Sequence, residues 1–222
     1  GQYSWHDVIG ESGPISTVSI IGKKIIINYL KDTLTDVKFF DLEGSHLSNL
    51  NFPNIGSING FYGNIKTDTA YFEFTNYTSP EEVFEIDLDT LSYEPYWKSD
   101  IPGFNADEYL SEMQFYTSSD GTQIPIHIAS RKGLNIGKDT PVLLYGYGGF
   151  NIPILPNFSK TFYMWIKSGG VLAIANLRGG SEYGEEWHEA GMLLNKQNVF
   201  DDFASAAKYL HEEGVGSSET TV

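Results

Sequence analysis

The first hundred residues contain two pairs of short strands that match each other at a fixed distance along the chain. β-Branched and aromatic residues dominate both pairs, and polar residues separate the strands. In the alignment of the pairs, Ile26 falls on Phe72 and Phe39 falls on Glu85, both with a step of 46 residues. The predicted strands and turns are 24–30, 31–33 and 35–42 in the first pair, and 71–77, 78–80 and 82–88 in the second.

Outer strands are predicted on both sides of each pair, at residues 17–21, 47–51, 58–63 and 92–97. Four antiparallel strands in a unit of about 45 residues is the spacing of β-propeller blades. A plain antiparallel sandwich with two similar hairpins is the alternative. Because a propeller closes only with about four or more blades, the propeller interpretation makes this chain part of something longer.

After Gly103 the pattern changes to alternating strands and helices. A hairpin comes first, and two apolar runs then predict strands that are buried on both faces. This alternation is the signature of an α/β sheet. The predicted elements are strands at 113–117, 124–129, 141–145, 171–175 and 220–222, a helix at 159–167 capped by Ser159, and a helix at 200–213.

Composition excludes several classes of function. The formal net charge of −15 disfavours a nucleic-acid partner, because an acidic chain repels phosphates. The chain has no cysteine, which rules out thiolate sites and fits a cytoplasmic location. No apolar run approaches the roughly 20 residues that span a bilayer, and residues 1–7 do not resemble a signal peptide. No two histidines have metal-ligand spacing, so neither a metal nor another cofactor is expected.

The segment 144–150, Leu-Tyr-Gly-Tyr-Gly-Gly-Phe, follows a predicted buried strand. In α/β-hydrolases a glycine-rich turn at this place forms part of the oxyanion hole, because glycines let the backbone approach the substrate. A purely structural tight turn is the alternative. A dinucleotide-binding fingerprint matches poorly, because no helix begins inside the glycines.

The loop 178–184 matches the nucleophile motif Gly-x-Ser-x-Gly except at its last position, where Tyr183 replaces the glycine. Ser181 is therefore not expected to be a nucleophile, and we expect Arg178 and Glu182 to brace this loop. His188, in a polar loop, is assigned to packing and loop hydrogen bonds. Residues 201 and 202, both Asp, are expected in the first turn of the last helix, with a structural role at its dipole.

The second half of the chain closely resembles the prolyl oligopeptidases. The resemblance is strong over 105–222 and looser over 1–104. The sequence motifs that carry it are at 118–125, 144–152, 170–173, 176–188 and 195–203. It implies a β + α/β protein, with closing blades of a seven-bladed β-propeller at 1–104. The start of an α/β-hydrolase domain would follow at 105–222.

The resemblance also implies an activity, that of a serine endopeptidase that cleaves short peptides on the carboxyl side of proline. By the family pattern, Tyr147 donates its hydroxyl to the oxyanion, Phe150 lies against the bound substrate, and Ile152 lines the same pocket. The family's Ser, Asp and His fall beyond the equivalent of Val222. This chain would then need the remainder of the same polypeptide and would be inactive alone.

Two other interpretations stay open from the sequence. One is a non-catalytic module in which a β-propeller and a degenerate α/β domain only bind a partner. The other is a different oligopeptidase branch with another specificity.

Overall fold

The computed structural model describes residues 6–10 and 12–222, which form three four-stranded sheets. The first two sheets are antiparallel meanders in which strand order follows chain order. The first contains β1 (Ile15–Ile21), β2 (Lys24–Lys31), β3 (Leu34–Phe40) and β4 (His46–Asn49). The second contains β5 (Ser57–Gly63), β6 (Thr69–Asn76), β7 (Ser79–Asp87) and β8 (Tyr93–Lys98). All eight strands predicted in this region are present.

The offset between the two sheets changes along the repeat. Ile26 pairs with Phe39 in the first sheet, and Phe72 pairs with Phe84 in the second. Phe39 therefore corresponds to Phe84, and the predicted match to Glu85 was wrong by one residue. The cause is a register shift near the end of β6, since a β-bulge changes the residue count of one strand relative to its partner.

Two-residue turns join the central strands of each sheet. In the first sheet the turn is Asp32 and Thr33, which have φ values of 49° and 63°, the positive values of the type I′ turn that two-residue hairpins favour. In the second sheet the turn is Tyr77 and Thr78. The predicted turn at 78–80 was wrong, because β7 already begins at Ser79 and pairs there with β6.

The third sheet has the strand order β11-β12-β10-β9, where β9 is Tyr109–Thr117, β10 is Gln123–Arg131, β11 is Val142–Gly146 and β12 is Val171–Ala175. Strands β11 and β12 are parallel, and the other neighbours are antiparallel. The predicted strand at 220–222 is represented by a parallel bridge from Thr221 to Val142, beside β11. The α-helices are α1 (Lys160–Lys167), α2 (Glu185–Glu189) and α3 (Gln197–Glu212).

Strand β12 is covered on both faces, as its continuous apolar run predicts. Leu172 and Ile174 pack in the cluster that includes α1. Val171, Ala173 and Ala175 pack in the cluster that includes α3. All five side chains are buried, so β12 is the central element of the α/β part of the chain.

Three predictions about the helices need correction. Ser159 precedes α1, but its side chain makes no capping hydrogen bond. Helix α3 begins at Gln197 rather than at residue 200, so Asp201 and Asp202 lie in its second turn and its first turn has no acidic residue. His188 belongs to the short helix α2 rather than to a loop.

Within the described part of the chain, no helix is long and apolar enough to cross a membrane. The expectation that residues 1–7 are not a signal peptide concerns mainly residues 1–5, which lie outside the described residues.

Candidate functional site

The loop that follows β11 carries all three residues predicted to form the site. Tyr147 is 42% exposed and Phe150 is 84% exposed. Their ring centroids are 6.5 Å apart, with the planes inclined by 35°. Ile152, farther along the same loop, is 47% exposed. The fold therefore presents two aromatic rings and an aliphatic side chain to solvent at the carboxyl end of a parallel strand.

The turn beneath Tyr147 requires glycine. Gly148 has a φ of +57°, and a Cβ there would lie 2.5 Å from the Val199 side chain and 2.8 Å from the Arg178 carbonyl. A Cβ on Gly179 would in turn lie 2.6 Å from the Gly148 carbonyl. The two glycine-rich segments, 144–150 and 178–184, thus pack backbone against backbone, which only residues without side chains allow.

A lysine also fastens this turn. The Nζ of Lys196 donates a 2.6 Å hydrogen bond to the carbonyl of Gly148. Lys196 lies just before α3, so the bond joins two segments that are distant in sequence. The sequence indicates no role for Lys196, which lies in a short polar segment directly before the predicted amphipathic helix.

The segment after the turn is held against the loop 178–184. Phe150 and Asn151 have φ values of 55° and 58°, which reverse the chain direction. The backbone N–H of Asn151 donates to the Gly179 carbonyl at 3.1 Å, and that of Ile152 donates to the Gly149 carbonyl at 3.1 Å. These bonds fix the backbone on which Phe150 and Ile152 project outward.

Arg178 braces the loop, as predicted, through two aspartates. Its Nε and Nη2 donate to the two carboxylate oxygens of Asp202 at 2.9 and 2.6 Å, and its Nη1 donates to Asp120 at 2.6 Å. The hydrogen bond from Arg178 lowers the pKa of Asp120 to about 2. Asp202 is fully buried and also accepts a 2.6 Å hydrogen bond from Ser118. Its role is this ion pair rather than an interaction with the helix dipole.

Glu182 braces the loop on the other side. It is 1% exposed, and its Oε1 accepts hydrogen bonds from the backbone N–H of Ile154 at 2.9 Å and from Asn176 at 3.3 Å. Burial raises the pKa of Glu182, and the bond from Ile154 opposes that rise. The predicted bracing by Arg178 and Glu182 therefore exists, but the two residues act on different partners.

The structure gives no support for a nucleophile at Ser181. His188 directs its Nδ1 toward the Gly179 carbonyl at a distance of 2.8 Å, which matches the loop hydrogen bond expected of it. Within residues 6–10 and 12–222, no serine is hydrogen-bonded to a histidine, and no cluster of three acidic or histidine side chains could hold a metal ion.

The turns of the first two sheets contact the third sheet. The Oγ1 of Thr33 lies 2.6 Å from the Nε2 of His127, and the ring of Tyr77 packs edge-on against the His127 ring at 5.3 Å. The Tyr183 hydroxyl donates to Asp32 at 3.2 Å. His127 is 1% exposed, and burial lowers its pKa to about 4. Residues 32–33 and 77 thus connect the repeated sheets to the α/β part.

Comparison with known proteins agrees with this geometry. The model of the prolyl oligopeptidase N-terminal β-propeller domain matches residues 1–99, and the model of the prolyl oligopeptidase family matches residues 156–222. The chain belongs to the prolyl oligopeptidase family. The first two sheets are accordingly blades of a β-propeller, and the third sheet begins an α/β-hydrolase domain, as the fold prediction states.

Individual prolyl oligopeptidases match nearly the whole chain. The prolyl endopeptidase of Elizabethkingia meningoseptica is 40% identical over 216 residues, which are 97% of this chain and 30% of that protein. The prolyl endopeptidase of Dictyostelium discoideum is 36% identical over 194 residues, 86% of this chain and 25% of that protein.

A solved structure from a study of two prolyl endopeptidases matches with a TM-score of 0.92 and 39% identity, over 98% of this chain and 32% of that one. The chain thus spans about a quarter to a third of the length of these relatives.

Proposed function

We propose that the protein containing this chain is a serine endopeptidase that hydrolyses short peptides on the carboxyl side of proline. In this proposal residues 1–104 are propeller blades and residues 105–222 begin the peptidase domain. The observation that carries the proposal is the position of Tyr147, a half-exposed phenol on a glycine turn at the carboxyl end of β11.

Tyr147 would act on the charge that develops during peptide hydrolysis. A serine attacks the scissile carbonyl, a histidine takes the serine proton, and an aspartate orients the histidine. The carbonyl oxygen becomes negative, and the Tyr147 hydroxyl donates a hydrogen bond to it. A donor held in place before the reaction stabilises this charge without the cost of reorganisation.

The remainder of the polypeptide would supply the serine, histidine and aspartate, so we expect residues 1–222 alone to be inactive. The cytoplasmic location expected from the absence of cysteine also stays a prediction.

Phe150 and Ile152 would bind the substrate beside this donor. The Phe150 side chain is 84% exposed. Covering an aromatic ring of this size with an apolar group of the substrate is favourable, because it removes apolar surface from water. Its backbone is fixed by the bonds around Gly149 and Gly179, so little conformational entropy would be lost on binding. A proline ring is an apolar, rigid group of suitable size for such a surface.

The experiment is a specificity panel with the complete polypeptide that includes this sequence. Matched peptides differ only in the residue before the scissile bond, which is proline, alanine, arginine or phenylalanine. We expect kcat/KM for the proline peptide to exceed the others by at least about tenfold. A preference for another residue would assign a different oligopeptidase branch, and no hydrolysis of any peptide would favour the non-catalytic binding module.

A further inference from the structure

We infer that Glu182 is a positioning residue for the substrate-binding loop, an inference that rests on the proposed function. Glu182 Oε1 accepts the backbone N–H of Ile154, and the side-chain amide of Asn176 donates to the Ile154 carbonyl at 2.5 Å. Two side chains that pack in the interior thus bind both polar groups of one loop residue. Ile154 lies two positions after Ile152, so this clamp holds the far side of the segment whose near side is held by the bonds at Gly149 and Gly179.

The packing around Gly180 places the Glu182 carboxylate directly against the loop. A Cβ on Gly180 would clash with the Glu182 carboxylate and would lie 2.9 Å from the Ile152 carbonyl. The missing side chain therefore leaves room for the carboxylate and the loop backbone together. The Glu182 carboxylate thus occupies the space beside Gly180, which also packs near the Ile152 carbonyl, and it accepts the N–H of Ile154.

The cost of burying a carboxylate argues that its hydrogen bonds matter. Glu182 is 1% exposed, and a buried charge is tolerated only when it is paired or hydrogen-bonded. Truncation would leave the Ile154 N–H and one donor of Asn176 without their acceptor. The bonds at Gly148, Gly149 and Gly179 hold the loop only as far as Ile152, so its backbone beyond Ile152 would move. Misplacement by about 1 Å can cost on the order of 100-fold in a reaction.

The neighbouring residue connects this clamp to the propeller. Tyr183 donates its hydroxyl to Asp32 in the turn of the first blade. The pKa of Tyr77, in the turn of the second blade, is raised chiefly by burial and further by the charge of Glu182. Tyr183, directly after Glu182, therefore connects this part of the site to the turn of the first blade.

Steady-state kinetics on the proline peptide, with the complete polypeptide, tests the inference. We expect Glu182→Ala to raise KM at least about tenfold while kcat per active site stays within about threefold. Glu182→Gln keeps an acceptor oxygen and should restore KM to within about threefold of the wild type. Glu186→Ala removes an exposed carboxylate four residues later in the chain. This variant is the matched control and should change neither KM nor kcat.

Unchanged KM in Glu182→Ala, or equal losses in the Ala and Gln variants, would overturn the inference. If Glu182→Ala does not fold, Asn176→Ala decides, because it removes the donor to the Ile154 carbonyl, together with the longer 3.3 Å bond to Glu182, and should also raise KM.

Amide hydrogen exchange over residues 150–154 separates this inference from the proposed function, because it does not depend on activity. We expect faster exchange in Glu182→Ala than in the wild type or Glu186→Ala. Unchanged exchange would refute the positioning role even if the protein hydrolyses no proline peptide.

Discussion

The ammonium of Lys196 donates a hydrogen bond to the carbonyl of Gly148, the residue that follows Tyr147 in the turn. Gly148 cannot carry a side chain because Val199 and Arg178 occupy the space around it. The turn that presents the Tyr147 phenol is thus fixed by contacts from outside the loop. This arrangement suits a donor that must be in place before charge develops on the substrate.

Replacing Lys196 tests the contribution of this bond. Lys196→Met keeps much of the side-chain length but removes the charged donor, and a hydrogen bond to a charged group contributes about 1.5–3 kcal/mol. We expect kcat on a proline peptide to fall by on the order of tenfold, measured by steady-state kinetics. Lys208→Met removes an exposed lysine paired with Glu212 at 3.7 Å and should leave kcat unchanged. Equal kcat in both variants would show that the bond has no effect on catalysis.

Removal of Arg178 from its buried ion pair with Asp202 should strongly destabilise the α/β part of the chain. Arg178→Met leaves Asp202 buried without its partner, which typically costs about 3–5 kcal/mol. Urea denaturation should show a loss of that size in the free energy of unfolding.

Arg131→Met breaks an exposed pair with Glu108 at 3.0 Å and should cost no more than about 1 kcal/mol. A loss in Arg178→Met no larger than in this control would contradict the assignment.

The burial of His127 where the blade turns meet the third sheet makes stability depend on pH. The folded pKa of His127 is about 4, below its ordinary value of 6.5. Between these values the unfolded chain binds the additional proton, so the free energy of unfolding falls as pH is lowered from 6.5 toward 4.

The slope that His127 adds is at most about 1.4 kcal/mol per pH unit. Thermal or urea unfolding across this range should therefore be less pH-dependent in His127→Gln, which can still bond to Thr33. An identical slope in variant and wild type would mean that His127 is not the group responsible.

Elements set by local pattern were predictable from the sequence. Runs of β-branched and aromatic residues separated by polar residues predicted the hairpins, and the five apolar residues of β12 predicted burial on both faces. Helix α3 begins at Gln197, before the apolar positions that predicted it, because its first two residues, Gln197 and Asn198, are polar and add nothing to the apolar periodicity. The step of 46 residues failed at Glu85 because a bulge is a property of strand pairing.

The partners of the bracing residues were not predictable for the same reason. The bonds from Lys196 to Gly148 and from Ile154 to Glu182 join residues 48 and 28 positions apart. Neither residue pair has a local pattern that predicts its partner. Tyr147, Phe150 and Ile152 could be proposed because the segment 144–152 resembles a motif of the prolyl oligopeptidases, and the fold places all three on one exposed loop.

The kcat of Tyr147→Phe on a proline peptide, in the complete polypeptide, tests the central claim most directly. Loss of one oxyanion donor typically lowers kcat by on the order of 10²–10³, so we predict a decrease of at least about tenfold with little change in KM. Tyr145→Phe removes a similarly exposed hydroxyl two residues earlier and should retain the wild-type kcat. An unchanged kcat in Tyr147→Phe would contradict the account.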